Sequence, residues 1–279
     1  MSENLPNYLT VTRDQLGQGT PVKVRVGKDM AALAQDMADD MFNTLLTANQ
    51  AQTSLTIIAP VGPVDQYPLL AKMINKQGVG CHRLAIINMD EYLTAENQWI
   101  DLEHPLSFRG YMNRKFYDLL DPELAPPLEN RIFPDPVNPG AIQQIIDDRG
   151  GVQVTYGGIG INGHIAFNEP ETSTDVETFS TRMTRVLALS PHTRTINANT
   201  VGGDIGVIPH RAITVGIKEI LGSKRLRFYC NRPWQSAVVR RVLHGPVTAA
   251  CPASLLRNHS DAMLTIADYV AQLPDIRLR

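Results

Sequence analysis

Short apolar runs, each separated from the next by a helical or turn-rich stretch, constrain this chain more than any other feature. Residues 54–58 (Ser-Leu-Thr-Ile-Ile), 84–87 (Leu-Ala-Ile-Ile), 152–156, 212–215, 226–230 and 263–266 fit buried strands and are too short for core helices. Between them, Met30, Leu33, Met37, Met41 and Leu45 recur at helical spacing, with Asp29, Gln35, Asp36, Asp39 and Asp40 interposed. The pattern predicts further helices over 65–76, 107–120 and 234–243, and a proline-rich ordered surface connection over 121–140. Strands alternating with helices predict an α/β fold, doubly wound, with a mainly parallel sheet covered on both faces. The chain has 279 residues and no repeat or composition break. One domain spanning 1–279 is expected, with 1–24 as an N-terminal extension.

Composition narrows the class of partner. Apolar residues make up 43%, charged residues 19%, and the net charge is -2. That balance gives no field for gathering nucleic acid or an acidic membrane surface. No window reaches the roughly 18 apolar residues of a bilayer span, and the start lacks a signal-peptide pattern. The three cysteines, Cys81, Cys230 and Cys251, are scattered and form no CxxC pair. They read as reduced core thiols, and the expected location is the cytoplasm.

In an open parallel sheet, ligands bind beyond the carboxyl ends of the strands. Three segments are expected at that edge: 59–63, 88–92 and 157–169. Asn88-Met89-Asp90-Glu91-Tyr92 follows an apolar strand directly, which suits Asp90 to general-base work on a fixed backbone. The richest segment runs from Gly157 to Pro170. Its four glycines within seven residues let the backbone approach a ligand closely. His164 and Glu169 follow, and a Glu can orient an imidazole and raise its proton affinity. Gly158, Gly160 and Gly163 also spell a dinucleotide fingerprint, but Asn168 and Pro170 interrupt the helix that fingerprint requires. No histidine spacing suggests a metal site, and neither a metal nor a cofactor is expected.

Three motifs carry a family resemblance. Asn88-Met89-Asp90-Glu91-Tyr92, Glu103-His104-Pro105-x-Ser107 and Gly160-x-Asn162-Gly163-His164-Ile165-Ala166-Phe167-Asn168-Glu169-Pro170 closely resemble glucosamine-6-phosphate deaminase. The likeness extends through 212–216 and 252–254. It implies a Rossmann-like fold of the deaminase type and an aldose–ketose isomerisation coupled to loss of ammonia from an amino sugar. Carried over by position, His164 opens the sugar ring, Glu169 holds the imidazole, and Asp90 moves the proton between C2 and C1. Asn162 completes the catalytic set, where some relatives have Asp. Gly62, Gly158, Gly160, Gly163, His104 and Arg194 are candidate substrate-binding residues. Glu91 joins them as a partner of the Asp90 turn rather than a second base. The family leaves homo-oligomerisation open.

The resemblance weakens at the phosphate end. The family's hydroxyl-bearing loop corresponds here to Ala59-Pro60-Val61-Gly62-Pro63, in which two prolines lack an N–H. Asn199 and Gln235 stand where relatives place an Arg and a Lys on the phosphate. Arg109, Arg194 and Arg232 remain as other cations. Leu187 replaces a Lys that some relatives use for an allosteric phosphate. An insertion at 95–102, with Trp99 and Ile100, reads equally as a surface loop or a lid. These departures point to a substrate other than an ordinary hexosamine 6-phosphate. The alternatives are a non-catalytic sugar-binding or regulatory protein on the same scaffold, and a sugar-phosphate lactonase.

Overall fold

The computed structural model describes residues 5–62 and 65–275. In chain order the elements begin with β1 (Lys23–Gly27), α1 (Met30–Gln50), β2 (Leu55–Ala59), α2 (Gln66–Gln77) and β3 (Leu84–Asn88). Next come β4 (Asp90–Leu93), α3 (Phe108–Lys115), β5 (Arg131–Ile132), α4 (Ala141–Asp148) and β6 (Val154–Gly157). Then follow α5 (Val176–Ser180), β7 (Arg185–Ala188), α6 (Pro191–Asn197), β8 (Arg211–Thr214) and α7 (Ile217–Leu221). The chain closes with β9 (Arg225–Cys230), α8 (Gln235–His244), β10 (Ala262–Ala267) and α9 (Asp268–Ala271).

The central sheet has seven strands in the order β1-β10-β9-β6-β2-β3-β5, and its paired strands are parallel. Every residue of β2 and β3 is buried, as expected for strands covered on both faces. From β2 the chain winds outward through β3 to β5. It then returns to place β6 on the other side of β2. The direction therefore reverses between β2 and β6, which is where such sheets open a crevice. The ends of β2 and β6 and the end of β3 bring the three expected loop segments together there. Pro63 of the first loop lies outside the described residues.

A second, antiparallel sheet, β4-β8-β7, stands beside the first. Met89 is the joint: its N–H donates to Ala59 O at 3.0 Å, and Val215 N–H donates to Met89 O at 2.7 Å. The predicted strand at 212–215 is present as β8, but it belongs to this small sheet and not to the parallel one. Asp90 is likewise the first residue of a strand, opposite Thr214, and not part of a turn.

Two other expectations change. The helix expected over 107–120 ends at Lys115. Phe116 takes φ −137°, ψ −66° to bury its ring, and a 3₁₀ turn follows. The connection 121–140 contains β5, a two-residue edge strand that pairs with β3. The N-terminal extension merges with the fold. Leu16 and Val22 are buried, Arg240 Nε donates to Val11 O at 2.8 Å, and β1 begins two residues before the expected boundary.

The 95–102 insertion is tied down. Leu93 bridges Trp99, Trp99 Nε1 donates to Pro134 O at 3.0 Å, and the Arg109 guanidinium lies 4.5 Å over the indole. Ile100 is buried in a second apolar cluster with Tyr92, Phe167, Leu189, Ala198, Ile208 and Ala212, and Leu187 packs against its edge. The insertion is a buttress behind the crevice. Among the described residues, no helix is long and apolar enough to cross a membrane.

Candidate functional site

Asp90 projects from the start of β4 with only 8% of its surface exposed. Its carboxyl makes no hydrogen bond or ion pair among the described residues. Burial, helped by the adjacent Glu91 carboxylate, pushes it up to about 8 from the usual carboxylate range. Glu91 points to the other face of β4, as strand alternation requires. It is fully buried and accepts from Tyr92 N, Phe108 N and Arg109 N at 2.9–3.0 Å, from Ser107 Oγ at 3.2 Å and from Arg109 Nε at 3.3 Å. Glu91 thus ties the start of α3 to β4, and its carboxylate is committed there rather than to a ligand.

The loop after β6 builds the other half. Gly160 is required by the imidazole itself: a Cβ there would stand 2.1 Å from His164 Cε1 and Nε2. Gly163, at φ +89°, turns the loop and leaves room for Cys251 Sγ, which a Cβ would meet at 2.6 Å. Gly158 is half-buried at the strand exit, and Gly62 is exposed.

The imidazole is ordered by a chain of contacts. His164 Nδ1 lies 2.8 Å from Asn162 Oδ1, which can only accept, so Nδ1 carries the proton and Nε2 keeps its lone pair. Asn162 Nδ2 donates to Glu169 Oε2 at 2.8 Å, and Glu169 Oε1 accepts from Ser190 N at 3.0 Å. Glu169 itself is 3.9 Å from Nδ1, beyond hydrogen-bond reach. The expectation that Glu169 holds the ring directly is therefore revised: Asn162 is the contact, and Glu169 acts through it. Burial lowers the His164 pKa, against the opposing pull of Glu169, so the ring is neutral near pH 7. Burial works to raise Glu169, but His164 and hydrogen bonds from Thr193, Ser190 and Asn162 together hold it low.

The two halves share one wall. Asp90 and Tyr92 lie on the same face of β4. The Tyr92 ring is 5.5 Å from Phe167, and Phe167 is 6.3 Å from the His164 ring. Phe167 N donates to Thr214 Oγ1 at 3.0 Å, and Asn168 Nδ2 to Val215 O at 2.8 Å, fastening the loop to the strand paired with Asp90. Ala166 completes the turn at φ +51°. A hydrogen-accepting imidazole and a carboxyl without a partner among the described residues stand at the two ends of this run of contacts, and each can move a proton.

Two candidate substrate-binding residues, His104 and Arg194, and three residues weighed at the phosphate end, Gln235, Asn199 and Arg109, make their contacts with the protein itself. His104 is exposed, and its Nδ1 accepts from Leu106 N within its own turn. Arg194 donates to Ile205 O and Ile208 O, which occupies its guanidinium with backbone. Gln235 is buried, accepting from Arg232 N and donating to Ile159 O. Asn199 is exposed and donates to Ile196 O. Arg109 is shared among Glu91, Ile100 O and Trp99. No group of three His, Cys, Asp or Glu side chains among the described residues could hold a metal ion.

The sequence reading missed α6. Ser190 caps it, its Oγ accepting from Thr193 N at 3.2 Å, and Pro191 opens it. That Ser-Pro start is a readable helix signal. It delivers the buried Thr193, whose Oγ1 lies 3.2 Å from His164 Nδ1.

No protein-family model matches the chain. It is 33% identical over 261 residues to glucosamine-6-phosphate deaminase of Cellvibrio japonicus (strain Ueda107), covering 91% of this chain and 93% of that one. A solved structure of a monomeric glucosamine-6-phosphate deaminase, described as the missing link of the NagB superfamily, superposes with a TM-score of 0.78. Its identity is 26%, covering 91% of this chain and 100% of that one. The 6-phosphogluconolactonase of Thermotoga maritima matches with a TM-score of 0.63 at 13% identity, over 88% of this chain and 100% of that one, a likeness of fold alone. The chain belongs to the glucosamine-6-phosphate deaminase family.

Proposed function

We propose that this chain is an aldose–ketose isomerase and deaminase acting on an amino sugar. The observation that carries the proposal is the pairing of Asp90, buried and without a partner among the described residues, with the tautomer-ordered imidazole of His164 across one wall. His164 Nε2 moves a proton between the anomeric hydroxyl and the ring oxygen, opening the ring. Asp90 takes the proton from C2 of the open chain and returns it to C1, while O1 gains the proton that the C2 amino group gives up, which leaves C1 an alcohol and C2 doubly bonded to nitrogen. Water adds at C2, ammonia leaves and a ketone remains. One water is consumed, one ammonia is released, and no electrons leave the substrate.

The far end of that substrate differs from an ordinary hexosamine 6-phosphate on this reading: Arg109 and Arg194 are engaged with the protein, and of the cations named above Arg232 is left exposed. Gln235 and Asn199 replace the relatives' cations, Pro60 removes an N–H, and Arg194 is held by carbonyls. Each lost charge-assisted bond removes about 1.5–3 kcal/mol of anion affinity. A panel of amino sugars with and without phosphate, assayed for ammonia and ketose, tests the activity. Isothermal titration with glucosamine and glucosamine 6-phosphate tests the specificity, and tight, phosphate-dependent binding would refute it.

A further inference from the structure

We propose that α6 is a clamp that sets the placement of His164 relative to Asp90, with Thr193 and Asn197 as its two positioning residues. The inference rests on the proton-transfer roles proposed above. Thr193 and Asn197 are four residues apart and share one face of α6. Thr193 Oγ1 contacts His164 Nδ1 at 3.2 Å, on the ring-opening side. Asn197 Nδ2 donates to Tyr92 OH at 2.9 Å, on the strand face that also carries Asp90.

The helix is anchored at its start and its middle. At the start, Ser190 N donates to Glu169 Oε1 at 3.0 Å and Asn162 Nδ2 approaches Ser190 Oγ at 3.5 Å, so the cap belongs to the imidazole network. From the middle, Arg194 Nη2 donates to Ile205 O at 2.8 Å and Ile208 O at 3.2 Å. Ile208 is buried in the same apolar cluster as Tyr92 and Phe167. The loop bearing His164 and the strand bearing Asp90 are thus bridged by one rigid turn of helix. Neither positioning side chain needs to touch the substrate.

The test compares Thr193→Val, Thr193→Ser, Asn197→Leu and the Thr193→Val/Asn197→Leu double variant. Two readouts need no substrate: ¹⁵N NMR of the His164 ring and ¹³C NMR titration of the Asp90 carboxyl. Thr193→Val is expected to shift the His164 ring ¹⁵N signals by loosening the ring's placement while Asn162 keeps the proton on Nδ1, and Thr193→Ser to restore them. Asn197→Leu is expected to move the Asp90 titration. The kinetic arm uses a cyclic amino-sugar substrate and its 4,5-dideoxy analogue, which has no hydroxyl placed to close a five- or six-membered ring. Thr193→Val should slow the cyclic substrate about 100-fold and the analogue hardly at all. Asn197→Leu should slow both, together with solvent deuterium uptake at C1. On the cyclic substrate the double variant should lose less than the product of the two single losses, because both changes loosen the same short helix.

The clamp is overturned if both NMR signatures stay at their wild-type values in every variant. It is also overturned if activity falls only in step with the folded fraction and Thr193→Ser restores nothing. If the wild-type chain turns over no sugar while the NMR shifts appear as stated, the clamp stands and the isomerase reading fails.

Discussion

Asn162 stands between Glu169 and His164, its carbonyl on Nδ1 of the ring at 2.8 Å and its amide nitrogen on the carboxylate at 2.8 Å. An amide in this place passes orientation along the chain without passing charge. Asn162→Ala should free the ring to change tautomer, lowering kcat by about 100-fold with little change in KM. Asn162→Asp should do something different. The new carboxylate faces the imidazole and raises the His164 pKa from its burial-lowered position, while repelling Glu169. An NMR titration of His164 checks this: no upward shift in Asn162→Asp would show that the amide does not set the ring's charge.

On the mechanism proposed above, Asp90 gives the activity its pH dependence. The group must be ionised to take a proton from C2, and burial holds it up to about 8. Turnover per folded enzyme should therefore rise about tenfold per pH unit below pH 8 and level off above it. A kcat/KM profile that is flat from pH 6 to 9 would remove Asp90 from the proton transfer. Asp90→Asn should abolish turnover while leaving sugar binding by calorimetry largely intact.

The same burial makes Asp90 a cost to the fold at high pH. The carboxyl titrates at 3.8 when unfolded and about 8 when folded, so between those values the folded state binds the extra proton. Stability therefore falls as pH rises through that window and is constant above it. Asp90→Asn removes the titrating group. Its Tm advantage over the wild type should be small near pH 4, grow toward pH 8 and then stop growing. Thermal melts across that range are the check, and a difference independent of pH would contradict the assigned burial.

Much of this centre was legible from local sequence. An apolar strand ending in Asp90 and a glycine run ending in His164 and Glu169 mark the crevice, because strand length and glycine freedom are properties of short segments. What was not legible depends on partners distant in sequence. Asp90 reads as the start of a turn until Thr214 is placed opposite it. The two residues of β5 become a strand only through β3. The roles of Thr193 and Asn197 follow from where a seven-residue helix docks, which no local pattern states. Likewise Glu169 and His164 suggest a direct pair in sequence, and only the loop's path inserts Asn162 between them.

Ile100 tests the insertion's role. It is 7% exposed and packs in the cluster that backs Tyr92 and Phe167. Ile100→Ala should cost about 2–5 kcal/mol in chemical denaturation. If the insertion were a free surface loop, the loss would be near zero.

Two glycines three residues apart should answer to opposite tests. Gly160 has ordinary backbone angles, so a Cβ there strains nothing in the chain; what it meets is the His164 ring, within 2.1–2.5 Å at three atoms. Gly160→Ala should remove activity by displacing the imidazole, and should lower the melting temperature only by what the buried His164 contacts contribute. Gly163 has φ +89°, and its Cβ would press on Cys251 Sγ at 2.6 Å. Gly163→Ala should destabilise by about 1–2 kcal/mol from the backbone and by more from the clash. Adding Cys251→Ala removes the sulfur but not the backbone strain, so the double variant should recover the clash part alone, after allowing for the cavity that Cys251→Ala creates by itself. A double-mutant cycle by urea denaturation measures that recovery. If Cys251→Ala and Gly163→Ala prove additive, the sulfur contact is not what requires a glycine there.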